Sequence, residues 1–180
     1  MDGKKGSRST IDVPLSRGNS RVSLSAFAYV FSELVQYCQS QIERGEDLEK
    51  RLLEAGYGVG LRTLELLCFR EKGCKKEKNV IQILNFIRTV VWKSLFGRPA
   101  DDLQISHSKK NEYYIYDEEP IICKYISQPN SERCAKFAAG IINGILDGAE
   151  FPCEVNAVRS KEKVVFVISF GQKVIARENS

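Results

Sequence analysis

Apolar residues recur every three or four positions along the first half of the chain. In the second half they gather into short runs. Leu24, Phe27, Ala28, Phe31, Leu34, Val35 and Cys38 fall on one side of a helix that Ser23 or Ser25 is suited to cap and that extends to about Arg44. Ala26, Val30 and Tyr37 make a second stripe on another face. A second helix, from about Glu46 to Phe69, repeats the doubling. Leu52, Val59, Thr63 and Leu67 lie on one side, with Tyr57, Leu61, Leu64 and Cys68 on another. A surface helix needs one apolar stripe. Two stripes on each helix predict either that one face meets another chain or that both helices are central in a helical layer.

Three alternating glycines, Gly56, Gly58 and Gly60, interrupt the second helix and resemble a phosphate loop when taken alone. A nucleotide-binding glycine turn follows a strand and opens a helix. Here helix formers stand on both sides, and each glycine inside a helix costs about 1 kcal/mol relative to alanine. Close approach of another backbone is the leading reason for them.

Asn79 is placed to cap a third helix, Val80 to Phe96, which is apolar almost all round and predicted to be the most buried; Gly97-Arg-Pro99 stops it. Residues 100 to 111 form a polar connection. Tyr113 to Asp117 and Ile121 to Ser127 read as two strands about the turn at Glu118-Glu-Pro120. A fourth helix, about Glu132 to Ala149, carries small residues suited to lying close against a sheet. Phe151 to Arg159 and Lys163 to Phe170 read as two further strands, and the run Val164 to Ile168 predicts a central strand buried on both faces. The order α-α-α-β-β-α-β-β predicts an α+β fold, with three leading helices and then a four-stranded antiparallel sheet with one further helix. One domain over residues 22–177 is expected, preceded by a disordered basic tail at 1–21 and followed by a short tail at 178–180.

Composition adds limits. With 180 residues, 43% of them hydrophobic and 28% charged, the chain fits a globular domain with a real core. Its net charge of +4 is uneven. Lys4, Lys5, Arg8, Arg17 and Arg21 outnumber Asp2 and Asp12 in the tail. Arg70, Lys72, Lys75, Lys76 and Lys78 outnumber Glu71 and Glu77 in a loop. Such runs are most simply solvated, although they suit an anionic surface or an acidic partner. The loop has no interleaved aromatics, which argues against nucleic acid. The polar N-terminus has no apolar segment of the kind an export signal needs. Gln82, Asn85, Arg88, Thr89 and Lys93 break the longest apolar stretch, so it reads as a buried helix and not a membrane span.

Catalytic constellations are thin. The six cysteines never form C-x-x-C, and His107 is the single histidine, so neither zinc nor another metal is expected, and no cofactor. Cys38, Cys68 and Cys134 sit among apolar neighbours and read as reduced core residues. A Cys–His107 nucleophilic pair is formally open but poorly placed. Asp101-Asp102 and Asp117-Glu118-Glu119 read as solvated turn residues, because neighbours on a strand point to opposite faces.

Several words in the chain resemble a known family. They are Val22-Ser-Leu-Ser-Ala-Phe-Ala28, Phe31-Ser-Glu-Leu-Val35, Leu53-Glu-Ala-Gly-Tyr57 with Gly60-Leu-Arg62, and Arg70-Glu-Lys-Gly73. Val91-Trp-Lys93, Leu95-Phe-Gly97, Tyr114-Ile115, Glu119-Pro120 and Tyr125-Ile-Ser127 follow. Phe137-Ala-Ala-Gly-Ile141, Phe151-Pro152 and Val174-Ile-Ala-Arg177 complete the set. Over residues 22 to 177 the chain is similar to the small subunits of the TRAPP (transport protein particle) complex, the bet-three family. The Gly-Tyr-x-x-Gly-x-Arg word is shared widely in that family; the first and fourth words are narrower.

The resemblance implies a bet-three-like fold whose first two helices pair with other subunits. Ala26, Val30, Tyr37, Tyr57, Leu61 and Leu64 are the interface residues this implies together with the second stripes. It further implies a non-catalytic scaffold in a vesicle-tethering assembly of ER-to-Golgi transport, an assembly that promotes nucleotide exchange on a Rab-family GTPase. The implied partners are a bet-three-type subunit, a sedlin-type subunit and, through the assembly, the GTPase. The implied location is cytoplasmic, with peripheral association to ER–Golgi intermediate and cis-Golgi membranes. In the bet-three subunit a cysteine after the corresponding helix is acylated. Cys74 lies near that place, but its Arg-Glu-Lys-Gly setting matches another of the family's subunits, so it is read as unmodified. The alternative function is a lipid- or small-ligand-binding α+β domain, with the third helix lining a pocket.

Overall fold

The computed structural model describes residues 22–42, 47–70, 79–109, 111–126, 130–160 and 163–178. The basic tail, the basic run after Arg70 and Cys74 lie outside them. The elements are α1 (Leu24–Ser40), α2 (Leu48–Arg70), α3 (Val80–Phe86), a π-helical turn (Ile87–Val91), α4 (Trp92–Phe96), β1 (Asp102–Ile105) and β2 (Glu112–Asp117). A 3₁₀ turn (Ile121–Cys123), α5 (Asn130–Gly148), β3 (Cys153–Ser160), β4 (Lys163–Phe170) and α6 (Gln172–Glu178) follow. Ser23 caps α1, its hydroxyl accepting from the Ala26 N–H at 3.2 Å. The Asp47 carboxylate accepts from the Glu49 N–H at 3.1 Å and so caps α2.

The sheet order is β1-β2-β4-β3, antiparallel throughout. Its inner face carries Tyr113, Ile115, Val155, Val164, Phe166, Ile168 and Phe170, all buried. α5 lies across this face, and the α3–α4 rod joins it there through Trp92, whose ring meets Phe166 edge-on at 5.4 Å. α2 stacks on α5. α1 is outermost, leaning on α2 and touching Phe137 of α5 through Phe31 at 5.2 Å.

The α2–α5 contact explains the glycines. A Cβ at Gly56 would lie 2.0 Å from the Phe137 carbonyl oxygen, and one at Gly60 would lie 2.3 Å from that of Ile141. From the other side, a Cβ at Gly140 would lie 2.1 Å from the Leu53 oxygen, and one at Gly144 would lie 2.3 Å from the Tyr57 oxygen. Two glycine pairs, each spaced by one helical turn, thus let the backbones touch. Gly58 points elsewhere; a Cβ there would meet only the Arg62 guanidinium, at 3.5 Å.

Five details differ from the pattern reading. The run after Pro120 is not a strand. Ile122 and Cys123 are buried in the 3₁₀ turn that leads toward α5. The missing strand is β1, within the supposed polar connection; its residues are mostly exposed, so no apolar alternation marks it. β4 is central, but its burial alternates, with Val165 and Val167 only half-buried on the open side of the sheet. The most buried helix is α5, with Cys134, Ala138, Ala139, Ile142, Ile145 and Leu146 inside, while Ile81 of α3 is exposed. Cys68 is exposed as well, because it lies beyond the edge of the α2 seam.

α6 was not marked by the pattern. Its Glu178 carboxylate accepts from the Val80 N–H at 2.6 Å, the capping role that the Asn79 side chain does not fill. Arg177 covers the Phe151 ring at 4.4 Å.

A polar knot ties the end of α4 to the hairpin. Gly97 turns the chain in the left-handed region (φ 81°), which aims Arg98 at two carboxylates. The guanidinium pairs with Asp117 and donates to Asp101 at 3.1 Å and to the Glu119 carbonyl at 2.9 Å. Asp117, almost wholly buried, also accepts from the Trp92 indole N–H at 3.0 Å. Burial raises the pKa of Asp117 despite the Trp92 and Arg98 contacts. For Asp101, burial is outweighed by the Glu118 N–H and Arg98, which hold its carboxyl below the usual range.

Two predictions follow from this packing. Gly60→Ala or Gly144→Ala should destabilise the chain by about 3 kcal/mol or more, since the new methyl meets backbone. Gly58→Ala should stabilise it by about 0.5–1 kcal/mol. Urea denaturation of the three variants checks this, and equal effects would contradict the seam. Replacing Arg98 by Met should cost about 1–3 kcal/mol near neutral pH by leaving Asp117 buried without its cation. The folded-state pKa of Asp117 then climbs further above the unfolded value, so the folded chain binds the extra proton more readily. The deficit against wild type should therefore narrow as pH falls toward about 5. A deficit that stays constant across that range would count against Asp117.

Candidate functional site

His107 is exposed in the β1–β2 connection. Burial pushes the Cys134 and Cys153 thiols up to about 12 and the Cys123 thiol to about 11, so they stay protonated at neutral pH and are poor nucleophiles. Of the acidic turn residues, Asp101 and Asp117 are held in the Arg98 knot and Glu118 pairs with Lys163, while Asp102 and Glu119 are exposed. Among the described residues no group of histidine, cysteine or carboxylate side chains is arranged to hold a metal. No described helix is long and apolar enough to cross a membrane.

The remaining candidate is a surface. The structure divides the six sequence-derived interface residues into two sets. Tyr57, Leu61 and Leu64 lean on α5 of the same chain. The Tyr57 hydroxyl donates to Asp147 at 2.5 Å, and the Leu61 and Leu64 methyls lie 3.0 and 3.1 Å from where a Cβ of Gly148 would be. All three keep partial exposure. α2 is therefore central, with one stripe on α5 and the other, through Leu48, Leu52, Thr63 and Leu67, in the core.

Ala26, Val30 and Tyr37 lie instead on the outer face of α1 and are exposed, Val30 by 71% and Tyr37 by 60%. Tyr29 joins them at 79% exposure. With Glu33, these residues follow the spacing i, i+3, i+4, i+7, i+11 and fill one strip along the helix. The inner face of α1 holds Phe31, Val35 and Cys38 in the core. Glu33 is the only charged residue between Leu24 and Ser40. A solvated helix face normally carries several charges, whereas the core of a protein interface is depleted in them and enriched in tyrosine. The signal for Tyr29 and Glu33 was present in the sequence as that spacing and as the missing charges.

The strip continues into a groove of about 1400 Å³, open to solvent and walled by Ala26, Phe27 and Val30 of α1, Leu67 of α2 and Leu95 and Phe96 of α4. Arg70 and Lys93 also line it. A contiguous apolar surface of this kind marks an interaction site more often than bare solvent contact.

Comparison with known proteins agrees with this fold. The chain is similar to "Trafficking protein particle complex subunit 5" of Dictyostelium discoideum, 49% identical over 176 residues that cover 93% of this chain and 95% of that protein. The human protein of the same name is 40% identical over 179 residues, covering 98% and 95%. A Saccharomyces cerevisiae protein, "Trafficking protein particle complex subunit 31", is 27% identical, covering 87% and 78%. Among solved structures, a trafficking protein particle complex subunit 3 from Naegleria fowleri, covalently bound to palmitic acid, superposes with a TM-score of 0.70. It is 16% identical and covers 83% of this chain and 95% of that one, which speaks to the fold alone. Residues 27–171 match the family described as "Transport protein particle (TRAPP) component". A match of that span, with relatives this similar along nearly their whole length, assigns the chain to that family: it belongs to the TRAPP components.

Proposed function

We propose that this chain is a non-catalytic scaffold subunit of a TRAPP assembly, of the subunit-5 type, and that the outer face of α1 is where a neighbouring subunit seats. The observation that carries the pairing surface is the exposed, almost uncharged strip Ala26, Tyr29, Val30 and Tyr37 on a helix whose other face is already in the core. High identity to proteins named as subunit 5 supports the assembly. A bet-three-type subunit is the proposed occupant of α1, and a sedlin-type subunit is a second contact. The assembly is proposed to tether vesicles in ER-to-Golgi transport, at the peripheral face of those membranes, and to promote nucleotide exchange on a Rab-family GTPase. No chemistry in that exchange is asked of this chain. Tyr57, Leu61 and Leu64 already have part of their surface against α5, so the α1 strip is the larger share of the proposed interface.

The lipid-binding alternative would use the groove beside α1. That groove is open, and its α1 wall includes Ala26 and Val30 of the pairing strip, so a seated partner would cover it.

Val30→Glu is expected to weaken co-purification with the bet-three-type subunit by about a hundredfold in affinity while leaving the far-ultraviolet circular dichroism unchanged, because Val30 is exposed in the isolated chain. Normal binding by this variant, or failure of the wild-type chain to recover any TRAPP subunit, would overturn the proposal.

A further inference from the structure

We infer that the partner helix covering α1 presents a lysine or arginine opposite Glu33, and that this ion pair makes the surface select a different subunit over a second copy of this chain. The inference rests on the pairing role proposed for α1 and adds its chemical specificity.

Glu33 stands inside the strip, with Tyr29 and Val30 one turn before it and Tyr37 one turn after it. It is exposed, and among the described residues no cation pairs with it. In the isolated chain water solvates the carboxylate. A partner that covers the two flanking turns removes that water. A carboxylate left in such a place without a counter-charge is strongly unfavourable, whereas one met by a cation is retained and fixes the register of the two helices. α1 itself carries no lysine or arginine, and among the described residues none pairs with Glu33, so the inferred cation is the partner's.

A second copy of this chain is the wrong partner for the same reason. The strip runs from Ala26 to Tyr37, so its midpoint lies beside Glu33. In a parallel two-fold arrangement the two carboxylates face each other directly. In an antiparallel one centred on the strip they are offset by only about 5 Å along the axis, at about 1.5 Å of rise per residue. Both arrangements bring like charges together under an apolar cover, with no base on either helix. This is repulsion built into an otherwise adhesive face, and it discriminates between partners that are equally apolar.

The test uses the full chain and the bet-three-type TRAPP subunit of the same organism. Affinity is measured by titration calorimetry, with circular dichroism as the folding control. Glu33→Gln should weaken binding by about tenfold and Glu33→Lys by about a hundredfold. Reversing one lysine or arginine of the partner to glutamate should restore binding to Glu33→Lys. The wild-type chain alone should sediment as a monomer at micromolar concentration. The inference is overturned if Glu33→Gln binds like wild type, if no single reversal restores Glu33→Lys, or if the chain pairs with itself as tightly as with the subunit. Val30→Glu separates the two levels. When it abolishes binding and Glu33→Gln does not weaken it, only the ion pair fails. When Val30→Glu also binds normally, or when the wild-type chain does not bind the subunit, the α1 surface and the ion pair fail together.

Discussion

Along the seam between α2 and α5, a Cβ at any of four glycine positions would overlap a carbonyl oxygen of the facing helix. No side-chain rearrangement relieves an overlap with backbone, so the separation of these two helices depends on the absence of four methyl groups. The rest of the arrangement follows from that separation. α5 can lie flat on the sheet because its other side is thin, and α2 can sit over α5 close enough for Lys136 to reach Glu49 at 3.3 Å and for Tyr57 to reach Asp147. Leu52 and Leu67 then point inward, into the space between α2 and the remaining helices.

The seam also decides which apolar surface remains outside. α2 has two stripes and the fold uses both. α1 has two stripes and the fold uses one. The difference arises because α1 is outermost, held on its inner side by Phe31, Val35 and Cys38. An exposed stripe on an outer helix is unfavourable for an isolated domain and useful for a component of an assembly, which is how family membership and surface chemistry meet in this chain.

Much of this was legible in the sequence where burial is one-sided and periodic. The first two helices, the α5 helix and the β3–β4 hairpin carry their period in their apolar residues, and Gly56 and Gly60 sit where alanine would otherwise be favoured. β1 was not legible, since an edge strand with one half-buried residue out of four has nothing to alternate. Ile121 to Ile126 misled for the opposite reason. A β-branched run looks like a strand whether a ladder or a helix buries it, and here Ile122 and Cys123 are buried in a 3₁₀ turn below α5. α6 is short, and two of the contacts that fix it, Glu178 to Val80 and Arg177 to Phe151, join residues distant in sequence. For α1, the doubled stripe was visible, but its exposure depended on which helix the seam placed in the centre. The same limit applies to Tyr57, Leu61 and Leu64.

The bond from Glu178 to the Val80 N–H has a consequence for the order in which the molecule is made. It joins the first turn of the α3–α4 rod to the last described turn of the chain, 98 residues later. During synthesis the rod must wait, with its leading amide uncapped, until α6 has emerged, while α1 with its exposed apolar outer face leaves the ribosome before either. The surface proposed to seat another subunit is thus available before the body that carries it has closed. Long-range closure of this kind is slow relative to local helix formation. The interval between the two is the time in which the nascent chain most needs protection from the wrong neighbour.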